Sequence, residues 1–141
     1  MLSAPALLRH RSVRFFAAAS SGVLLACSFP NIEIGWLAFI ALGPVVAAVA
    51  SARSRVEAFL LGWLAYTISW LITVPWVIKV MSQYGGLPYA TGVSLFVAMS
   101  LYLGLYGGLF SLLVSLVRLE AGFRRWLLVP LAWVATEYAR T

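Results

Sequence analysis

The chain has 141 residues, of which 63% are hydrophobic and 10% charged, against about 45–50% and about 25% in an ordinary soluble domain. That excess of apolar residues excludes a water-soluble fold of this size, and the length excludes a large extramembrane catalytic domain added to several membrane helices. The formal charge of +6 comes from ten basic and four acidic residues, but the charges stand at the ends of apolar runs. This is a membrane pattern, and no nucleic-acid partner is expected.

The basic N-terminus, 1–14, leads into uncharged runs at 15–32, 34–52, 58–78, 80–117 and 126–136. With about 20 residues needed per crossing, the expectation is an all-α, polytopic helical membrane protein with about five transmembrane helices. The first span, 15–29, reads FFAAASSGVLLACSF and stops at Pro30 and Asn31, because proline removes a donor and disfavours helix in the residue before it. The second runs from near Trp36 to near Ala50, and the third from Ala58 to about Ile78, with Pro75 expected to bend its far end.

A Tyr84-Gly85-Gly86-Leu87-Pro88 break precedes the fourth span. Its glycines supply permissive dihedrals, and its proline is suited to the first turn of the next helix. No phosphate-binding glycine pattern accompanies it. The fourth span, 89–117, has 29 residues and reaches about 43 Å at about 1.5 Å per residue, so it must tilt, kink or protrude. The fifth, 126–138, contains Pro130. The expected organisation is therefore a cytoplasmic N-terminus at 1–14, a transmembrane helical domain at 15–138, and a truncated extracytoplasmic exit at 139–141.

Eight basic residues, Arg9, Arg11, Arg14, Arg53, Arg55, Arg118, Arg124 and Arg125, fall on one side of this arrangement, and only Lys79 and Arg140 on the other. The positive-inside rule then places the N-terminus in the cytoplasm. Trp36, Trp76, Tyr84, Tyr89, Trp126 and Tyr138 lie near the span boundaries, where amphipathic rings suit the headgroup region.

Within the fourth span, Ser100, Gly104 and Gly108 recur every four residues, and Gly107, Ser111 and Ser115 form a second small lane. Close packing against another helix of the same chain is the expected use, with the partner helix left open. Trp63, Tyr66 and Trp70 share a helical face in the third span, expected to pack rather than to form an acyl groove. Glu57 reads as an interfacial charge at a helix N-terminus, and Glu33 as a loop charge. Glu137 and Arg140 can share a helix face as an ion pair or a contact to a neighbouring domain.

One cysteine, Cys27, and one histidine, His10, permit neither an internal disulfide nor a His/Cys metal cluster. No catalytic, cofactor-binding or metal-binding residue is expected, and no cofactor. Leu24-Leu25-Ala26-Cys27 after three arginines has the form of a lipoprotein processing box, but the other apolar segments make a lipid anchor redundant.

The order of these features resembles the N-terminal membrane half of the bacterial apolipoprotein N-acyltransferase family. The resemblance runs through Ser28-Phe29-Pro30 and Trp36, the Arg53/Arg55 loop, Phe59-Leu60-Leu61-Gly62-Trp63, Trp76, Tyr84-Gly85-Gly86-Leu87-Pro88, Tyr102 to Phe110, and Trp133 with Glu137 and Arg140. It implies a bacterial inner-membrane location and a ping-pong enzyme that moves an acyl chain from a membrane phospholipid to the N-terminal diacylglyceryl cysteine of a lipoprotein. In the family a cysteine nucleophile, a glutamate base and an oxyanion-stabilising lysine lie in an extracytoplasmic nitrilase-like domain. None of the three can be carried onto these residues, and Cys27 lies in an early membrane helix. The chain also departs from the family pattern after Trp76, with Ile78, Lys79 and Val80 where a tyrosine and a small hydroxyl residue are usual. The expectation is a fragment inactive alone, with the nitrilase-like domain as its missing partner. The competing class is a small non-enzymatic membrane scaffold or transporter subunit.

Overall fold

A computed structural model describes residues 10–29, 35–117 and 123–140. Helix α1 spans Arg11–Cys27, and a 3-10 turn at Gly35–Leu37 leads into α2, Ala38–Ala41, and α3, Gly43–Ala50. Helix α4 spans Arg55–Thr73, α5 Trp76–Gln83, α6 Tyr89–Val117 and α7 Phe123–Arg140. Every regular element among the described residues is helical, as the apolar runs require. Two of the helices, Arg55–Thr73 and Tyr89–Leu116, are long and apolar enough to cross a membrane.

The boundaries differ from the sequence expectation at three places. Helix α1 begins at Arg11, ahead of the uncharged run, because Arg14 is drawn into the bundle rather than left at its edge. The second span is divided at Leu42, with Pro44 in the first turn of α3, where its missing N–H costs no helical bond. The third span ends at Thr73 and resumes as α5. Pro75 has no N–H to give, so the ladder closes with Val74 N–H donating to the Trp70 carbonyl, and α5 restarts with Pro75 as its N-cap. Gly86, at φ 65°, then supplies the left-handed backbone that turns the chain toward α6.

The fold is organised around α4, which packs against α1 on one side and α6 on the other. Pairing of Arg14 with Glu57, and of Gly22 with Ala65, shows that α1 and α4 run parallel. Phe59 lies opposite Gly108, Gly62 opposite Gly107 and Ser111, and Trp63 opposite Gly104, so α4 and α6 run antiparallel. The segment comprising α2 and α3 lies against α1, held in part by the Ser21 hydroxyl donating to the Ala41 carbonyl.

The core is built largely from small side chains: Ala18, Ala48, Ala58 and Ala65 with Val45, Val49 and Leu61. Small residues suit a bundle in lipid, where close van der Waals contact replaces the hydrophobic drive available in water. Helix α6 shows the corresponding two faces. Ser100, Gly104, Gly107, Gly108 and Ser111 are buried, while Leu101, Leu105, Leu109, Leu113 and Leu116 point outward. Its larger apolar side chains lie mainly on the outside, apart from Phe96, Phe110 and Val114.

Candidate functional site

Two carboxylates organise the polar chemistry among the described residues. The first is Glu57, in the opening turn of α4. Ser54, in extended conformation, caps that helix by accepting from Glu57 N–H at 3.1 Å. The Glu57 carboxylate reaches back so that Oε2 accepts from Arg53 N–H at 2.7 Å. This is close to the reciprocal arrangement of a capping box, and the Ser54-x-x-Glu57 spacing is its sequence signature. The remaining oxygen, Oε1, accepts from Arg14 Nε at 3.0 Å and from the terminal guanidinium nitrogen at 2.6 Å.

Arg14 is 1% exposed and Glu57 9%. The sequence assigned Arg14 to the interfacial basic cluster and Glu57 to a helix-end charge; the structure joins them across 43 positions of chain. An arginine in this position must be paired, because an isolated buried charge costs several kcal/mol. The charge-assisted double contact fixes α1 against α4 at one end of the bundle. Arg11 remains exposed, with its guanidinium 5.6 Å from the centre of the Phe15 ring.

The second carboxylate is Glu137 on α7. Its Oε1 accepts from the Tyr66 hydroxyl of α4. Tyr66 also meets Trp133 edge to face, with ring centroids 5.4 Å apart, and Trp133 meets Phe110 of α6 in the same manner at 5.3 Å. Such edge-to-face pairs align the positive rim of one ring with the negative face of the next. Trp133 and Glu137, one helical turn apart, thereby attach α7 to both α4 and α6. Of the aromatic stripe in the third span, Tyr66 enters this cluster and Trp63 donates its indole N–H to the Leu101 carbonyl at 3.0 Å. Packing accounts for both. The side chain of Arg140, expected beside Glu137, lies outside the described residues, as does Glu33.

The two small-residue lanes of α6 meet α4. A methyl group added to Gly107 would lie 2.5 Å from Tyr66 Cγ and 2.7 Å from the Gly62 carbonyl oxygen. The buried hydroxyls of Thr67 and Ser111 have no hydrogen-bond partner among the described residues. Each abuts a glycine of the facing helix, Gly104 and Gly62 respectively, where weak Cα–H to oxygen contacts are common in close helix crossings. Cys27 is half-buried at the last residue of α1. The arrangement is suited to holding helices in register, and none of these groups forms a nucleophile-base pair.

The family described as "Apolipoprotein N-acyltransferase N-terminal domain" matches residues 21–141. An apolipoprotein N-acyltransferase from Geobacter metallireducens is 35% identical over 126 residues, covering 89% of this chain and 24% of that protein. The chain therefore spans about a quarter of the length of this relative. The matched region includes α4 and α6, their glycine contacts, and the Trp133–Glu137 attachment of α7. The chain belongs to the apolipoprotein N-acyltransferase N-terminal domain family.

Proposed function

We propose that these residues form the membrane platform of an apolipoprotein N-acyltransferase in the bacterial inner membrane. The complete enzyme transfers an acyl chain from a membrane phospholipid to the amino group of a lipoprotein's diacylglyceryl cysteine. The platform anchors a nitrilase-like domain and helps form the lateral entry for lipid substrates. The observation that carries this reading is the family match over residues 21–141, which takes in the packed helices α4, α6 and α7.

Five crossings, with the N-terminus cytoplasmic, fit the packing directions. Parallel α1 and α4 require the chain to return between them, which the segment containing α2 and α3 supports; antiparallel α6 then returns, and α7 leaves again. Arg53 and Arg55 mark the cytoplasmic end and Lys79 the extracytoplasmic end. On this reading 1–14 is a cytoplasmic segment, 15–138 the transmembrane domain and 139–141 its extracytoplasmic exit.

The test uses the purified 141-residue chain in phospholipid nanodiscs with a diacylated lipopeptide. Mass spectrometry of the peptide is expected to show no added acyl chain. Formation of the triacylated peptide by this chain alone would overturn the assignment of catalysis to another domain.

A further inference from the structure

Helix α5 is eight residues long and has two unlike sides. Ile78 and Met81 face α6 at Gly92, where an added methyl group would stand 3.7 Å from Ile78 Cγ2 and 3.9 Å from Met81 Cβ. Trp76, Lys79, Val80 and Gln83 are exposed. Trp76, Lys79 and Gln83 follow one another at intervals of three and four residues, so they share one helical face.

Lys79 has no acidic partner among the described residues. The two described carboxylates are placed elsewhere, Glu57 beside Arg14 and Glu137 beside Tyr66. Arg53 and Arg55 stand at the other end of α4, whose 19 residues span about 28 Å at about 1.5 Å per residue. Lys79 thus stands just beyond the end of a membrane-length helix, exposed and without an acidic partner among the described residues. Trp76 lies one turn before it, Tyr84 follows the helix at 85% exposure, and exposed Tyr89 opens α6. Aromatic rings of this kind hold a segment at the interface, and a lysine there extends its ammonium to the phosphate layer.

We propose that Lys79, with Trp76 and Gln83, forms a docking site for the headgroup of an anionic phospholipid. The ammonium pairs with the lipid phosphate, the Gln83 amide supplies a further donor, and the indole packs against the glycerol and upper acyl region. Charge complementarity selects this occupant: the face offers a cation with no acidic partner among the described residues, and hydrogen-bond donors beside an apolar ring. The inference rests on α4 and α6 crossing the membrane, but it does not require acyltransferase activity.

The test places a bimane label on Val80→Cys in a Cys27→Ala background, with the chain in nanodiscs containing either phosphatidylglycerol or phosphatidylcholine bearing a nitroxide on the upper acyl chain. At equal mole fraction, quenching by phosphatidylglycerol should correspond to about five-fold local enrichment. Lys79→Gln should reduce the ratio to about one, while Lys79→Arg should retain it. Because residue 79 is exposed on α5, neither substitution disturbs the α4–α6 packing. An unchanged preference in Lys79→Gln, or absence of enrichment in the parent chain, would overturn the proposal. Shielding of the label from both lipids would also overturn it, because protein would then occupy this face.

Discussion

Replacing Gly62 with alanine tests whether the α4–α6 crossing depends on backbone proximity. The added Cβ would lie 2.5 Å from Ser111 Cβ and closer than 3.0 Å to the Gly107 carbonyl oxygen. The serine can adjust, but the carbonyl belongs to the helix, so α4 and α6 must separate. A separation of 0.5–1 Å forfeits about a quarter to a half of the dispersion attraction of each affected atom pair, and overpacking of this kind costs about 1–3 kcal/mol. Alanine's better helix propensity returns about 0.5–1 kcal/mol. The expected net destabilisation is about 0–2.5 kcal/mol on these magnitudes.

Gly43→Ala provides the comparison, since a methyl group there meets nothing within 4 Å. It should be neutral or stabilising by up to about 1 kcal/mol. Unfolding by SDS titration in mixed micelles, followed by circular dichroism, measures both. Equal or greater resistance of Gly62→Ala relative to Gly43→Ala would refute the close-crossing argument. Adding Ser111→Gly to Gly62→Ala should recover part of the loss, because it removes the serine contact and leaves the Gly107 carbonyl.

The same titration tests the two polar attachments. Arg14→Met or Glu57→Leu alone should cost about 3–5 kcal/mol by leaving a buried charge without its partner, whereas the double variant should cost less than the sum. A double-mutant cycle with no coupling would contradict the ion-pair reading. Tyr66→Phe should cost about 0.6–1.7 kcal/mol through loss of its hydroxyl contact to Glu137, and Tyr66→Ala about 3–5 kcal/mol because the ring contact to Trp133 is lost too. Equal effects of the phenylalanine and alanine variants would contradict the division between hydroxyl and ring.

The helices were readable where local patterning determines them. The glycine and serine lanes marked a packing face on α6, but spacing within one helix carries no information about its neighbour, so α4 emerged as the partner only from the fold. Pro75 signalled a bend, and the structure converts it into a break because Val74 closes one helix before Pro75 begins another. The burial and pairing of Arg14 went unread for a related reason. A positive-inside argument sorts charges by linear position, whereas its partner lies 43 residues away. The Ser54-x-x-Glu57 capping pattern was the available signal that Glu57 was structurally engaged, although it could not identify Arg14. Tyr66 and Glu137 were visible separately as aromatic and charged positions; their meeting required the return of α7 to α4.

The most direct measurement of the membrane architecture is sidedness of labelling at the start of α4 and just beyond α5, which follows it. Arg55→Cys and Tyr84→Cys, each introduced with Cys27→Ala, place single thiols at exposed positions. In intact spheroplasts, a membrane-impermeant maleimide should label residue 84 immediately and residue 55 only after the membrane is opened. Labelling of both from the same side would contradict the account that α4 crosses the membrane and carries Lys79 to the extracytoplasmic headgroup region.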